Sequence, residues 1–260
     1  MRWTGSPCQA EREASPGDVL EILLGRRGLG SNEEREYFLH PRLAHLSAPE
    51  EISGMAEGIA LLGKHLSQKS GILIYSDYDV DGIVSATILR LFLQALGAGE
   101  VRHFIPDRKT EGYGLTAAGM ERALGSGSKP GLFIALDCGT NSRSEVEKIR
   151  SGGMEVLIVD HHQLGETAKA DALVNPQKGG KHHHLCTAGL VFKLCHAYLK
   201  ADGGRDRFDL RSVLDLVALA TVADLVPLEG DNRIFVREGL KRLARTSHPG
   251  LRRLMEVSGC

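Results

Sequence analysis

Acidic residues in this 260-residue chain fall in groups that directly follow short apolar runs. Asp77, Asp79 and Asp81 follow residues 71–75, Asp137 follows residues 132–136, and Asp160, His161 and His162 follow residues 156–159. Carboxylates brought together repel and resist ionisation unless cations neutralise them. Hard oxygen donors with one or two imidazoles suit Mn²⁺ or Mg²⁺ better than a thiolate-seeking metal. Two such ions about 3.5–4 Å apart are a standard device for phosphoester hydrolysis.

Each group has a plainer reading. Asp77-Tyr-Asp79-Val-Asp81-Gly82 matches the front of a calcium-binding EF-hand loop, but the twelfth loop position is Ile88 rather than Glu. A strand rather than a helix precedes it, so the remaining alternative is a surface acidic turn. Asp137-Cys138-Gly139 alone is equally the cap of a following helix. Asp160-His161-His162 is more telling, because two imidazoles beside an acid at a strand end rarely serve packing. Asp224 lies in an apolar helical stretch, residues 216–226. A buried acid there needs a partner, either a metal or a helix-end hydrogen bond.

The elements that position these groups alternate. Residues 71–75, 101–105, 132–136 and 156–159 read as buried strands, separated by helical stretches near 83–96, 115–124 and 142–150. That order predicts an α/β fold, a parallel sheet of about five strands with right-handed crossovers, flanked by helices and by helical N- and C-terminal extensions. In such sheets ligands bind at the carboxyl ends of the strands, where the acids fall. Before the sheet, residues 18–24 form a short amphipathic helix closed by Gly25. Ser31 caps another that Pro41 ends, and Pro49 opens a third running through Lys69. After it, residues 188–199, 210–223, 233–244 and 251–257 read as helical.

Composition narrows the function. Thirty-two Lys and Arg against 33 Asp and Glu leave a net charge of −1, so a polyanion must be held by local groups or metal ions rather than by bulk charge. No uncharged apolar run reaches the roughly 20 residues of a membrane helix, and the first 15 residues do not form a signal peptide. Five cysteines without a C-x-x-C pair fit a reducing cytoplasm, with Cys138 and Cys195 as small core residues. Gly28-Leu-Gly30 and Gly125-Ser-Gly127 open no phosphate loop. Lys181-His182-His183-His184 reads as a solvated turn, and Trp3 as a packing anchor with base stacking as the alternative.

Taken together, Tyr75-Ser-Asp-Tyr-Asp-Val-Asp-Gly82, Leu136-Asp-Cys-Gly139, Val159-Asp-His-His162 and Ala223-Asp224 resemble, in order, the four motifs of the DHH phosphoesterase superfamily. Ile105-Pro-Asp-Arg-Lys-Thr-Glu-Gly-Tyr-Gly-Leu115, Leu173-Val-Asn-Pro-Gln177, residues 188–193 and 215–227, and Asn232-Arg233 are similar to its RecJ-type branch of single-strand-specific exonucleases. The resemblance implies a centre of two ions, Mn²⁺ or Mg²⁺, with Asp79, Asp81, Asp137, His161 and Asp224 as ligands and Asp137 bridging. It places His162 and Arg108 against substrate phosphate, His162 and Asp137 in the catalytic step, and Asp77 and Asp160 behind the ligands. Tyr75 stands where many superfamily members have a metal-binding histidine.

The implied activity is 5′-to-3′ hydrolysis of single-stranded DNA by a two-metal mechanism, in DNA repair and recombination. Its rivals are a phosphodiesterase of the same superfamily acting on short oligonucleotides or cyclic dinucleotides, and an inactive scaffold module. The expected organisation is an N-terminal extension (1–69) packed on the core, a catalytic domain (70–230), and a helical segment (231–260) leading to a C-terminal substrate-binding domain. Expected partners are single-stranded nucleic acid and a single-strand-binding protein or helicase, with no membrane. The chain is expected to be a monomer in the cytoplasm.

Overall fold

Serines start the first two helices. Ser15 and Ser31 each accept a hydrogen bond from the backbone three residues on, and Asp18 and Glu34 bond back, which closes a capping box at both α1 (Pro16–Arg26) and α2 (Asn32–Leu39). The computed structural model describes residues 15–179 and 182–259; Trp3, Cys8, Lys181 and Cys260 lie outside them. Described residues up to Pro41 form one unit, in which Arg35 pairs with Glu21 and donates to the Leu29 carbonyl. Gly25 does not close α1, which continues to Arg26 and ends before Gly28, in the left-handed region at φ 77°.

Residues from Arg42 form a second unit around a five-stranded sheet. Its helices and strands alternate as α3 (Met55–Ser67), β1 (Ile72–Ser76), α4 (Val80–Ala95), β2 (Val101–Phe104), α5 (Ala117–Gly125), β3 (Leu132–Leu136), α6 (Arg143–Ser151), β4 (Glu155–Val159) and β5 (Ala172–Val174). Four helices follow: α7 (Thr187–Asp202), α8 (Leu214–Ala223), α9 (Gly230–Leu243) and α10 (Pro249–Ser258). All strand pairs are parallel, in the order β2-β1-β3-β4-β5.

Alternate residues of each strand face opposite layers. Ile72, Ile74, Ile134, Leu157 and Val159 pack with α3, α4, α7 and α8; Leu73, Tyr75, Phe133, Val156 and Ile158 pack with α5 and α6. Burial on both faces explains why these strands read as continuous apolar runs. Cys138 and Cys195 are buried, as expected. Among the described residues no helix is long and apolar enough to cross a membrane.

β5 and the start of α3 also depart from the sequence reading. β5 is only three residues long, too short to leave a pattern. The helix expected from Pro49 through Lys69 is a single 3₁₀ turn, Pro49–Glu51, then an extended Ile52, and α3 begins only at Met55. Gly54 makes this break. Its φ is 81°, and a Cβ there would lie 1.8 Å from the Leu173 carbonyl oxygen of β5. Gly54→Ala should therefore cost at least about 3 kcal/mol, because both the backbone region and the space exclude a side chain. Urea unfolding of the variant checks this, and a wild-type midpoint would refute the close approach.

Candidate metal centre

The strand order reverses between β1 and β3, and the crevice at that switch point is where ligands bind in open parallel sheets. Asp77 emerges from β1 on one side and Asp137 from β3 on the other. Asp79 caps α4, its carboxylate accepting the Gly82 N–H at 2.9 Å. Gly82 has to lack a side chain, since a Cβ would sit 2.4 Å from the Asp77 carbonyl oxygen. That tight turn from β1 into the first turn of α4 holds Asp77, Asp79 and Asp81 close together.

Asp81 is 1% exposed, and its two oxygens accept the backbone N–H groups of Thr187 (2.6 Å) and Ala188 (2.8 Å) at the start of α7. The partial positive charge of that helix end favours a carboxylate there. The Thr187 hydroxyl donates to Asp137 Oδ1 at 2.9 Å. Asp137 has φ 61°, a left-handed conformation that Asp tolerates better than most residues and that tends to be held at functional sites. His161 Nε2 lies 3.4 Å from Asp137 Oδ1 and 3.6 Å from Asp224 Oδ2. Asp224 is not within a helix running to residue 226: α8 ends at Ala223, Asp224 is its C-cap, and Leu225 turns the chain away at φ 58°.

These side chains form three overlapping groups with ligand atoms within 4.8 Å of one another: Asp77, Asp79 and Asp137; Asp81, His161 and Asp224; and Asp137, His161 and His162. Asp77 Oδ1 and Asp224 Oδ2 are buried without a hydrogen-bond partner among the described residues, which is costly unless something positive meets them. Burial pushes Asp79 up to about 6 and Asp81 up to about 7, with the Asp137 carboxylate adding to both. Burial also raises Asp77 and Asp224. Burial opposes a charge on His161, but hydrogen bonding to Asp137 and the surrounding carboxylates overcome it and raise His161 to about 9. Carboxyls this reluctant to ionise and an imidazole this ready to protonate fit a site whose charge balance is completed by cations.

Beside this centre, Asp160 orients His162. Its Oδ1 lies 2.7 Å from His162 Nδ1, and its Oδ2 accepts the Thr140 N–H at 3.1 Å. Burial opposes the Asp160 charge, yet these bonds, led by His162, bring it down to about 2. The Asp160 bond correspondingly raises His162. His162 Nε2 meets the Tyr113 hydroxyl at 2.8 Å. Tyr113 packs edge-on to Tyr78 at 6.3 Å, and the exposed Arg108 guanidinium lies 5.5 Å from the Tyr78 ring centre.

The structure thus brings Asp77, Asp79, Asp81, Asp137, His161, His162 and Asp224 together and sets Asp160 behind His162. Arg108 reaches this group through the two tyrosines. Asp77 lies within one of these groups of possible ligands, next to Asp79 and Asp137. Tyr75 turns away: it is buried in the α5 layer, donates to the Gly114 carbonyl at 3.0 Å, and burial pushes its phenol up to about 12. Sequence reasoning missed Thr187, which reads as an ordinary helix start, and Tyr113, whose Glu-Gly-Tyr-Gly setting carried the only signal. His182, His183 and His184 join no group of three possible ligands among the described residues.

Fold and site together define a doubly wound α/β domain with carboxylate and imidazole groups that could hold divalent cations at the carboxyl edge of its sheet. Residues 71–221 match the DHH family, N-terminal domain, and the chain belongs to that family. It is similar to the single-stranded-DNA-specific exonuclease RecJ of Bacillus subtilis (strain 168), at 36% identity over 271 residues that cover 100% of this chain and 33% of that protein. The crystal structure of RecJ in complex with Mn²⁺ from Thermus thermophilus superposes with a TM-score of 0.75 at 32% identity, over 92% of this chain and 33% of that one. Its Mg²⁺ complex superposes with a TM-score of 0.65 at 30% identity, over 92% and 30%. The chain spans about a third of the length of these relatives.

Proposed function

We propose that this chain carries the catalytic centre of a metal-dependent exonuclease that hydrolyses single-stranded DNA from the 5′ end in repair and recombination. The observation that carries the reading is the pair of ligand groups, Asp77–Asp79–Asp137 and Asp81–His161–Asp224, joined where His161 meets Asp137. The likeness to RecJ exonucleases supplies the substrate class. The first group would hold one Mn²⁺ or Mg²⁺ and the second another, with Asp137 reaching both. Asp77 takes a ligand's place there, and Tyr75 none. Bound there, the cations supply Lewis acidity to phosphoryl oxygens and lower the pKa of water.

The chain's own groups orient the phosphate. His162, held at Nδ1 by Asp160, which raises its pKa, would donate from Nε2 to a phosphate oxygen in place of the Tyr113 hydroxyl. Arg108 offers a planar donor fork to the next phosphate. Thr187 and the first amides of α7 keep Asp137 and Asp81 aimed while substrate exchanges. Residues 70–230 would form the catalytic domain, flanked by 1–69 and 231–260, in a cytoplasmic monomer that meets single strands beside a binding protein or helicase.

The test compares a 5′-labelled single strand, its duplex and a dinucleotide as substrates in Mn²⁺. Mononucleotide release from the single strand alone is expected. Preference for the dinucleotide would assign the chain to the oligonucleotide phosphodiesterases. Mn²⁺ binding without turnover would make it a scaffold.

Arg108→Ala should weaken single-strand binding about 10-fold, the worth of one charge-assisted hydrogen bond, with Mn²⁺ affinity unaltered. Fluorescence anisotropy and metal titration separate the two, and the reverse pattern would remove Arg108 from the phosphate.

A further inference from the structure

We infer that Asn232 is a positioning residue that holds Asp224 against His161, by tying the turn after Asp224 to the segment that leads into α7. The inference rests on the metal-centre reading above. Asn232 lies in the first turn of α9 and is 1% exposed. Its Nδ2 donates to the Pro227 carbonyl at 2.9 Å and to the His184 carbonyl at 2.7 Å. Both partners are acceptors, so the amide nitrogen must face them and both its hydrogens are used. Its Oδ1 is buried and has no hydrogen-bond donor among the described residues, which leaves donation as the purpose of the side chain.

The two carbonyls belong to the two segments that need fixing. Pro227 lies three residues after Asp224, and Leu225 between them is left-handed and 89% exposed, so apolar burial of Leu225 does not hold this segment in place. His184 lies two residues before Cys186, the N-cap of α7, whose first amides cradle Asp81. One side chain thus sets the distance between Asp224 and the helix end that holds Asp81.

The docking of α9 does not depend on it. The neighbouring Asp231 accepts the Ser47 N–H at 3.0 Å and pairs with the buried Lys193 of α7 at 2.6 Å. Loss of Asn232 should therefore release the Asp224 turn and leave α9 in place.

The test is Mn²⁺ titration by calorimetry, with bound ions counted by electron paramagnetic resonance. It uses the wild-type chain, Asn232→Ala, the isosteric Asn232→Asp, Asp224→Ala and the Asn232→Ala/Asp224→Ala double variant. Asn232→Ala should bind one class of Mn²⁺ about 10- to 100-fold more weakly, the usual effect of losing a group that orients a ligand. That loss should vanish when Asp224 is already alanine, because the two residues act as one unit. Unchanged affinity in a folded variant, an equal loss in the Asp224→Ala background, or failure of both single Asn232 variants to fold would each overturn the assignment. A wild-type chain that bound no Mn²⁺ would overturn the metal-centre reading and this inference with it, an outcome distinct from the other three.

Discussion

Asp137→Asn should lower Mn²⁺-dependent hydrolysis at least about 10³-fold, more than the loss of a single oxyanion donor costs, while the protein stays folded. Asp137 belongs to two of the three groups of possible ligands and meets His161 of the third, so under the two-ion reading its loss would disturb the whole centre. Asparagine is the right replacement because the position is left-handed, at φ 61°, and asparagine is among the few residues that tolerate it. Its side-chain oxygen can still accept from Thr187 Oγ1. Removing one of several crowded carboxylates should raise the melting temperature of the metal-free protein. Single-turnover rates at saturating Mn²⁺, with thermal melts in chelator, give both readings. A wild-type rate in this variant would sink the two-ion assignment.

Metal binding should strengthen as pH rises from about 6 to about 9, with release of protons. Ligands bind as carboxylates and neutral imidazole, whereas in the metal-free protein Asp79 titrates at about 6, Asp81 at about 7 and His161 at about 9. The sign for the metal-free fold follows from the same shifts. Asp79 and Asp81 have folded values above their unfolded ones, so the folded state binds more protons and stability falls as pH rises between about 4 and 7. His161 stabilises fully below its unfolded value, near 6.5, and that contribution is lost as pH rises through about 9. Asp160 runs the other way: brought down to about 2, it stabilises above about 4 and its contribution is lost only as pH falls through about 2. The metal-free melting temperature should therefore decline from pH 5 to pH 9. Mn²⁺ at a hundred times its dissociation constant adds about 2.7 kcal/mol per site. At a fixed Mn²⁺ concentration the gain in melting temperature should be larger at pH 8.5 than at pH 6. Equal gains at the two values would show that these acids and His161 do not compete with protons for the metal.

The acids at the strand ends were legible in the sequence for a local reason. A strand buried on both faces is an unbroken apolar run, and the next polar residue must leave the sheet at its carboxyl edge, as Asp77, Asp137 and Asp160 do. Ser31 and Glu34, three residues apart, announce a helix start by the same kind of local rule. Where the reading failed at the start of α3 and at β5, the cause was a contact with a distant segment. Gly54 breaks the helix expected from Pro49 because Leu173 of β5 comes close to it. β5 itself, three residues long, exists by pairing with β4.

The site divides along the same line. Residue types and spacing within each motif determined by themselves that this is a carboxylate and imidazole centre on a parallel sheet, because pleat and helix pitch set those spacings over a few residues. Only the tertiary structure decided which groups meet. It set Asp77 beside Asp79 and Asp137 while Tyr75 turned to α5, brought Asp224 to His161 from the end of α8, and delivered the amides of Thr187 and Ala188 to Asp81. Those meetings depend on strand order and on how α7, α8 and α9 pack, and such long-range geometry leaves no period or motif in a single chain.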